Sequence, residues 1–261
     1  MTDFKSKYGP WALVAGASEG LGAAFAEEIA KRGVNLILIA RRLDKLELLA
    51  NKLQNQYKIE VRYQSLDLAD FQQVRSYIAQ LDIAIGLLVY NAAYAPIGYF
   101  EDIPEESLGK IIEVNVKTPL LLSKLISAQM IPRKKGGIVL MSSLAGTQGS
   151  PKIATYAATK SFNAVLAEGL WKELKQHGIE VIASVAGAIR TPGYQNAQQA
   201  KDAPGTLNAD EVAKTTLNAL GKGPLIIPGF TNKVARFFMG RMLPLKMAIS
   251  LMNKQTKNLS S

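Results

Sequence analysis

The chain has no cysteine and a single histidine, His177, among its 261 residues. Disulfides, zinc-thiolate sites and thiol nucleophiles are therefore excluded, and one imidazole can build neither a histidine metal cluster nor the usual serine-histidine pair. Any acid/base chemistry falls to other side chains. Long apolar runs are missing too: nowhere do about 18 apolar residues follow one another, the length a membrane-crossing helix needs. The N-terminal MTDFKSKYGPW carries no apolar leader core, so a cytoplasmic protein is the expectation. Acidic residues stop at Glu211, beyond which Lys214, Lys222, Lys233, Arg236, Arg241, Lys246, Lys254 and Lys257 supply eight of the ten excess positive charges. The net charge of +10 is thus a property of the tail. With no recognised DNA or RNA motif beside it, it does not point to nucleic acid.

What is present is a hydrophobic fraction of 48% with 20% charged residues, which suits one large domain with a full core. Short apolar runs at 11–15, 36–40, 61–64, 87–91, 138–142, 181–185 and 225–227 read as buried strands. Between them, 20–32, 43–57, 70–81, 105–130, 154–176 and 208–220 carry apolar residues at helical spacing. Asn208, with Glu211 three residues later, is a capping pair expected to open the last of these. Seven strands alternating with six helices predict an α/β fold, a doubly wound seven-stranded parallel sheet with helices on both faces. It is expected as a single domain over residues 1–230.

Tyr156 and Lys160 stand four residues apart in YAATK, flanked by small residues. On a helix they share a face, with Cβ atoms about 5–6 Å apart. An ammonium about 4 Å from a phenol favours the phenolate by on the order of 4 kcal/mol at an effective dielectric near 20. That moves tyrosine from about 10 towards neutral pH, where it can give or take a proton. The same spacing also arises by chance with no chemistry attached, so the motif gains meaning only from its surroundings.

The first strand runs straight into AGASEGLG, with Gly16, Gly20 and Gly22 ahead of a helix. A helix N-terminus offers unpaired N–H groups and a positive dipole end to a pyrophosphate, although glycine turns also serve as plain tight connections. Strand two ends in LILIARR: where a carboxylate would meet a ribose 2′-hydroxyl, this chain has Ala40 followed by Arg41 and Arg42. Guanidinium groups suit a 2′-phosphate, and the alternative is that both are solvated charges at a helix start. Arg41 is the favoured contact, and NADP(H) rather than NAD(H) the expected cofactor.

Seven motifs then stand in one order: AGASEGLG (15–22), DLAD (67–70), NAAY (91–94), Asn115 in EVNV, IVLMSSLAG (138–146), YAATK and VAGAIRTP (185–192). Together they resemble the short-chain dehydrogenase/reductase family of nicotinamide-dependent oxidoreductases, with its single-domain Rossmann fold. The resemblance implies Tyr156 as general acid/base and Lys160 as the group that lowers its pKa and holds the nicotinamide ribose. It implies Ser143 rather than Ser142 as the hydrogen-bonding partner of the substrate oxygen, and Asn115 as the anchor of a relay water. For the cofactor it implies the turn with Ser18, Glu19 and Leu21, then Asp67 and Leu68 near the adenine. Asn91, Ala92 and Ala93 follow at strand four, and Gly187, Ile189 and Thr191 at the carboxamide. The chain departs from the family pattern at Ala15, at Ala93 and Tyr94 within NAAY, and at Ala186. Glu19 stands where some NADP-preferring members carry a basic residue.

The implied reaction is hydride transfer between NADP(H) and a carbonyl or secondary alcohol, reduction being the preferred direction. A catalytically silent NADP(H)-sensing protein on the same fold is the alternative. The family implies a homodimer or homotetramer, a small-molecule substrate, and a substrate loop at 192–206. Tyr94, Leu144, Gln148 and Tyr194 are candidate pocket walls beside Ser143. The basic, amphipathic extension 231–261 could pack on the domain, cover an apolar substrate, meet a partner subunit or make peripheral contact with an anionic membrane.

Overall fold

A computed structural model describes residues 4–192 and 202–256. The seven expected strands are Trp11–Ala15 (β1), Asn35–Ala40 (β2), Val61–Ser65 (β3), Ile85–Tyr90 (β4), Gly136–Ser143 (β5), Ile179–Ala186 (β6) and Leu225–Ile226 (β9). They form one sheet in the order β3-β2-β1-β4-β5-β6-β9, with every neighbouring pair parallel. A small parallel pair, Ile189–Arg190 (β7) with Leu207–Asn208 (β8), was not foreseen, being too short to show a period.

Phe4–Tyr8 (α1) precedes the sheet, and the crossovers are Gly20–Ala30 (α2), Leu43–Tyr57 (α3), Phe71–Gln80 (α4), Glu105–Ile112 (α5), Thr118–Met130 (α6), Ala154–Lys175 (α7) and Ala209–Ala219 (α8). Strands buried on both faces explain the unbroken apolar runs. In β2, Leu36, Leu38 and Ala40 join the core that holds Phe25 and Ile29, while Ile37 and Ile39 join the opposite one with Phe71, Val74 and Ile78. Successive side chains point to opposite faces, so each residue of the run has a layer of helices to meet.

Two local expectations are corrected. The helix expected over 105–130 is broken into α5 and α6 by a π-helical segment, Glu113–Lys117. The wider turn leaves carbonyls without their i+4 donors, and distant side chains take them up. Tyr90 donates its hydroxyl to Val114 O at 2.5 Å, and Asn163 Nδ2 donates to Asn115 O at 3.2 Å. No periodicity marks such an insertion in advance. The Asn208–Glu211 cap does not form: α8 starts at Ala209 with no side-chain cap, because Asn208 Oδ1 accepts from Arg190 Nη1 at 3.0 Å. The pairing of β7 with β8 brings that guanidinium within reach.

Past the sheet, Phe230–Phe237 (α9), a π-helical turn over Phe238–Met242 and Leu245–Thr256 (α10) complete the described chain. Strand order reverses between β1 and β4, and the crevice outside their carboxyl ends is where doubly wound sheets bind ligands.

Candidate active site

A cleft of about 880 Å³ opens at that reversal. Every site residue predicted from sequence lines it except Gly22, Asn115, Gln148 and Tyr194, the last lying outside the described residues.

At one end, β1 feeds the glycine turn into α2. Gly16 has φ +83° and lies so close to strand four that a Cβ would stand 2.7 Å from Ala92 Cα. Gly22 sits beneath the turn, where a Cβ would come within 1.9 Å of Gly16 O. Asn91 Nδ2 holds the same carbonyl at 3.0 Å. Glu19 precedes α2 in extended conformation and its side chain makes no cap bond, so the first-turn N–H groups stay available to an anion. A backbone cradle that only glycine permits, at a helix N-terminus, fits a dinucleotide pyrophosphate.

The two arginines differ. Arg42 pairs with Glu19 Oε1 at 2.7 Å and donates to Ser18 Oγ at 3.1 Å. Arg41 is exposed at the cleft edge. Sequence reasoning favoured Arg41 for the 2′-phosphate, and the carboxylate inside the glycine turn engages Arg42. Asp67 accepts from Ala69 N at 3.0 Å and lies 3.7 Å from Lys110 Nζ.

At the other end, β5 delivers Ser143 and α7 delivers Tyr156 and Lys160. Both serines line the cleft: Ser142 is buried and donates to Lys160 O at 2.7 Å, and Ser143 accepts from Ala145 N at 3.2 Å and stands near enough to the Tyr156 phenol to bear on its pKa. Helical spacing puts Tyr156 and Lys160 on one face, with Lys160 Nζ 5.4 Å from the centre of the phenol ring. The ammonium nevertheless donates to Met141 O at 3.0 Å. Lys160 is 3% exposed, and burial pulls its pKa down to about 8. Burial likewise raises the Tyr156 phenol above its ordinary value, with the Ser143 hydrogen bond opposing the rise. Burial is thus the larger influence on this phenol, and the Lys160 ammonium is aimed at a strand carbonyl.

Asn115 is fully buried behind the wall. Its Oδ1 accepts from Tyr94 N at 2.8 Å, and its Nδ2 donates to Tyr94 O at 2.9 Å and to Thr159 Oγ1 at 3.1 Å. Thr159 in turn donates to Tyr156 O at 2.8 Å. Asn115 therefore ties the loop after β4 to the helix carrying the phenol. Gln148, expected in the wall, is not among the residues that line the cleft, and its amide lies against the Thr147 hydroxyl.

Sequence reasoning offered covering the substrate as one alternative for the tail but named no residue for it. Asn232, Ala235, Met239 and Met252 line it, with Asn232 lying against Gly187 and donating to Gly205 O and Pro228 O at 3.0 Å each. Spacing of 232, 235 and 239 marks one helical face, but nothing in the sequence says which face turns inward.

The short chain dehydrogenase family matches residues 10–202. A Homo sapiens protein named inactive hydroxysteroid dehydrogenase-like protein 1 is 35% identical over 196 residues, covering 72% of this chain and 58% of that one. A solved structure described as giving structural and biochemical insights into 7beta-hydroxysteroid dehydrogenase stereoselectivity superposes with TM-score 0.89 at 26% identity, over 96% of this chain and 99% of that chain. A short-chain dehydrogenase from Sphingobium yanoikuyae in complex with NADPH gives TM-score 0.76 at 30% identity, over 84% and 87%. A match of that extent, on top of the same sheet and cradle, places this chain in the short-chain dehydrogenase/reductase family of oxidoreductases.

Proposed function

We propose that this chain is an NADP(H)-dependent reductase of bulky, apolar ketones, of the hydroxysteroid type, with Tyr156 as its proton donor. The observation that carries the reading is the placing of Tyr156 and Ser143 side by side in a cleft whose far end is the glycine cradle. The turn from Gly16 to Gly22 would hold the pyrophosphate, Arg41 the 2′-phosphate, and Lys160 and Thr191 the nicotinamide half. Bound there, the nicotinamide supplies the hydride.

Tyr156, its pKa raised, carries its proton at neutral pH and gives it to the oxygen of the reduced carbonyl. Ser143 donates to that oxygen as charge develops on it. Asn115 holds the Tyr94 loop against α7, which fixes the phenol. The substrate half is walled by Tyr94, Ile97, Leu144, Ile153, Met239 and Met252, none of them charged, which favours apolar area. The 7beta-hydroxysteroid dehydrogenase likeness supports the same substrate class. NADPH consumption against ketones graded by size checks this: kcat/KM should rise from small polar carbonyls to steroid ketones. The opposite order would overturn it.

Two further outcomes concern the cofactor. Arg41→Ala should raise KM for NADPH about tenfold, the worth of one charge-assisted contact, and leave that for NADH unchanged. Glu19→Gln, which releases Arg42, should lower KM for NADPH. Steady-state kinetics with both dinucleotides decides, and equal changes for the two would remove the 2′-phosphate contact. Gly22→Ala should weaken NADPH binding on the order of 100-fold, because the turn must move to clear the new methyl. Fluorescence titration measures it, with circular dichroism to show that the fold survives.

A further inference from the structure

We propose that the outward face of the C-terminal helices seats on an anionic lipid bilayer and holds the mouth of the cleft at the lipid surface. The segment has two faces. Asn232, Ala235 and Met239 line the cleft, while Phe230, Val234, Phe237 and Phe238, on the far side at helical spacing, are exposed, Phe230 to 82% and Phe237 to 55%. Helix α10 repeats the division: Ala248, Met252 and Thr256 are buried at intervals of four, and Leu245, Met247 and Leu251 are exposed. Packing on the domain therefore accounts for the inner stripe and leaves the outer one uncovered.

The charge around that outer stripe selects its occupant. Lys233, Arg241, Lys246 and Lys254 are exposed on the same segment, and no acidic side chain follows Glu211. A second copy docking across a two-fold axis would bring this patch against itself, cation facing cation with no anion between. An anionic bilayer neutralises the same charges and takes up the rings. No helix among the described residues is long and apolar enough to cross a membrane, so the segment lies on the surface. Since its inner face walls the cleft, a lipid-dissolved ketone would enter across it. That consequence rests on the proposed function, but the docking itself does not.

Flotation of the full chain tests it, using vesicles of phosphatidylcholine mixed with phosphatidylglycerol against phosphatidylcholine alone. The chain should float with the mixed vesicles at low salt and be released as salt rises. Phe230→Ser with Phe237→Ser should lower partitioning by about tenfold per ring. Lys233→Gln with Lys246→Gln should lower it by about fivefold per charge. All four sites are exposed, so melting temperature should not change. Absence of flotation, or flotation that the ring variant leaves intact, overturns the proposal. So does sedimentation showing an oligomer in lipid-free buffer that the ring variant dissociates, which would make this face a subunit contact.

Discussion

Exchange of Tyr156 for Phe is expected to cut the rate of ketone reduction by about 10²–10⁴-fold, the usual worth of a positioned proton donor. NADPH affinity should stay close to that of the parent chain, because the cradle of Gly16, Asn91 and α2 is untouched. The ring's packing is kept, and Ser143 retains its bond with Ala145 N at 3.2 Å. With burial raising the phenol's pKa, reduction by the parent enzyme should hold through neutral pH and decline only in alkali, as the proton is lost. Turnover with NADPH and a steroid ketone, measured for both chains, separates the two readings of the site. A variant as fast as its parent would remove Tyr156 from the chemistry. A parent that binds NADPH yet reduces nothing would favour the silent cofactor sensor, consistent with the word inactive in a relative's name.

Exchange of Lys160 for Met is expected to lose activity and gain stability. Burial pulls the amine from 10.5 to about 8, a difference equivalent to about 3 kcal/mol of penalty on the charged form in the cofactor-free protein. Loss of its hydrogen bond to Met141 O takes back about 1 kcal/mol, leaving a net gain of roughly 2 kcal/mol. For a chain of this size that is a rise of about 4–8 °C in melting temperature. The pH dependence carries the sign. Below about 8 the lysine is protonated in folded and unfolded chains alike, and the parent bears the full penalty. Between about 8 and 10.5 the unfolded chain binds more protons, so the parent's stability rises with pH relative to the variant. Above that window the penalty is gone and only the lost hydrogen bond remains, so the parent becomes the more stable by about 1 kcal/mol. Melting curves of both chains from neutral pH to alkali check it; a gap that does not change with pH would mean the amine is not held against its charge. The more stable variant would then show that the site keeps a costly buried cation for its function.

Much of this was legible because the signals were local. The run LILIA in β2 is apolar at every position since both faces of the sheet are covered, and that pattern needs no knowledge of neighbours. The glycine turn is similar: Gly16 and Gly22 are required by backbone approach within one strand-turn-helix unit. The pairing of Arg42 was not legible, for the opposite reason. Its partner Glu19 lies in another loop, and only the side-by-side pairing of β1 with β2 makes them neighbours. Gln148 does not line the cleft, and nothing in the local sequence marks which way its side chain goes.

The sequence by itself determined the alternation of strands and helices, the glycine turn, and the shared helical face of Tyr156 and Lys160, because each follows from spacing along one stretch of chain, while Ser143 entered through the family resemblance. Tertiary structure alone decided where the Lys160 ammonium points, how far burial shifts both titrating groups, and which face of the tail closes the cleft. Those depend on desolvation and on contacts between segments far apart in the chain, and neither quantity is defined until the chain has folded.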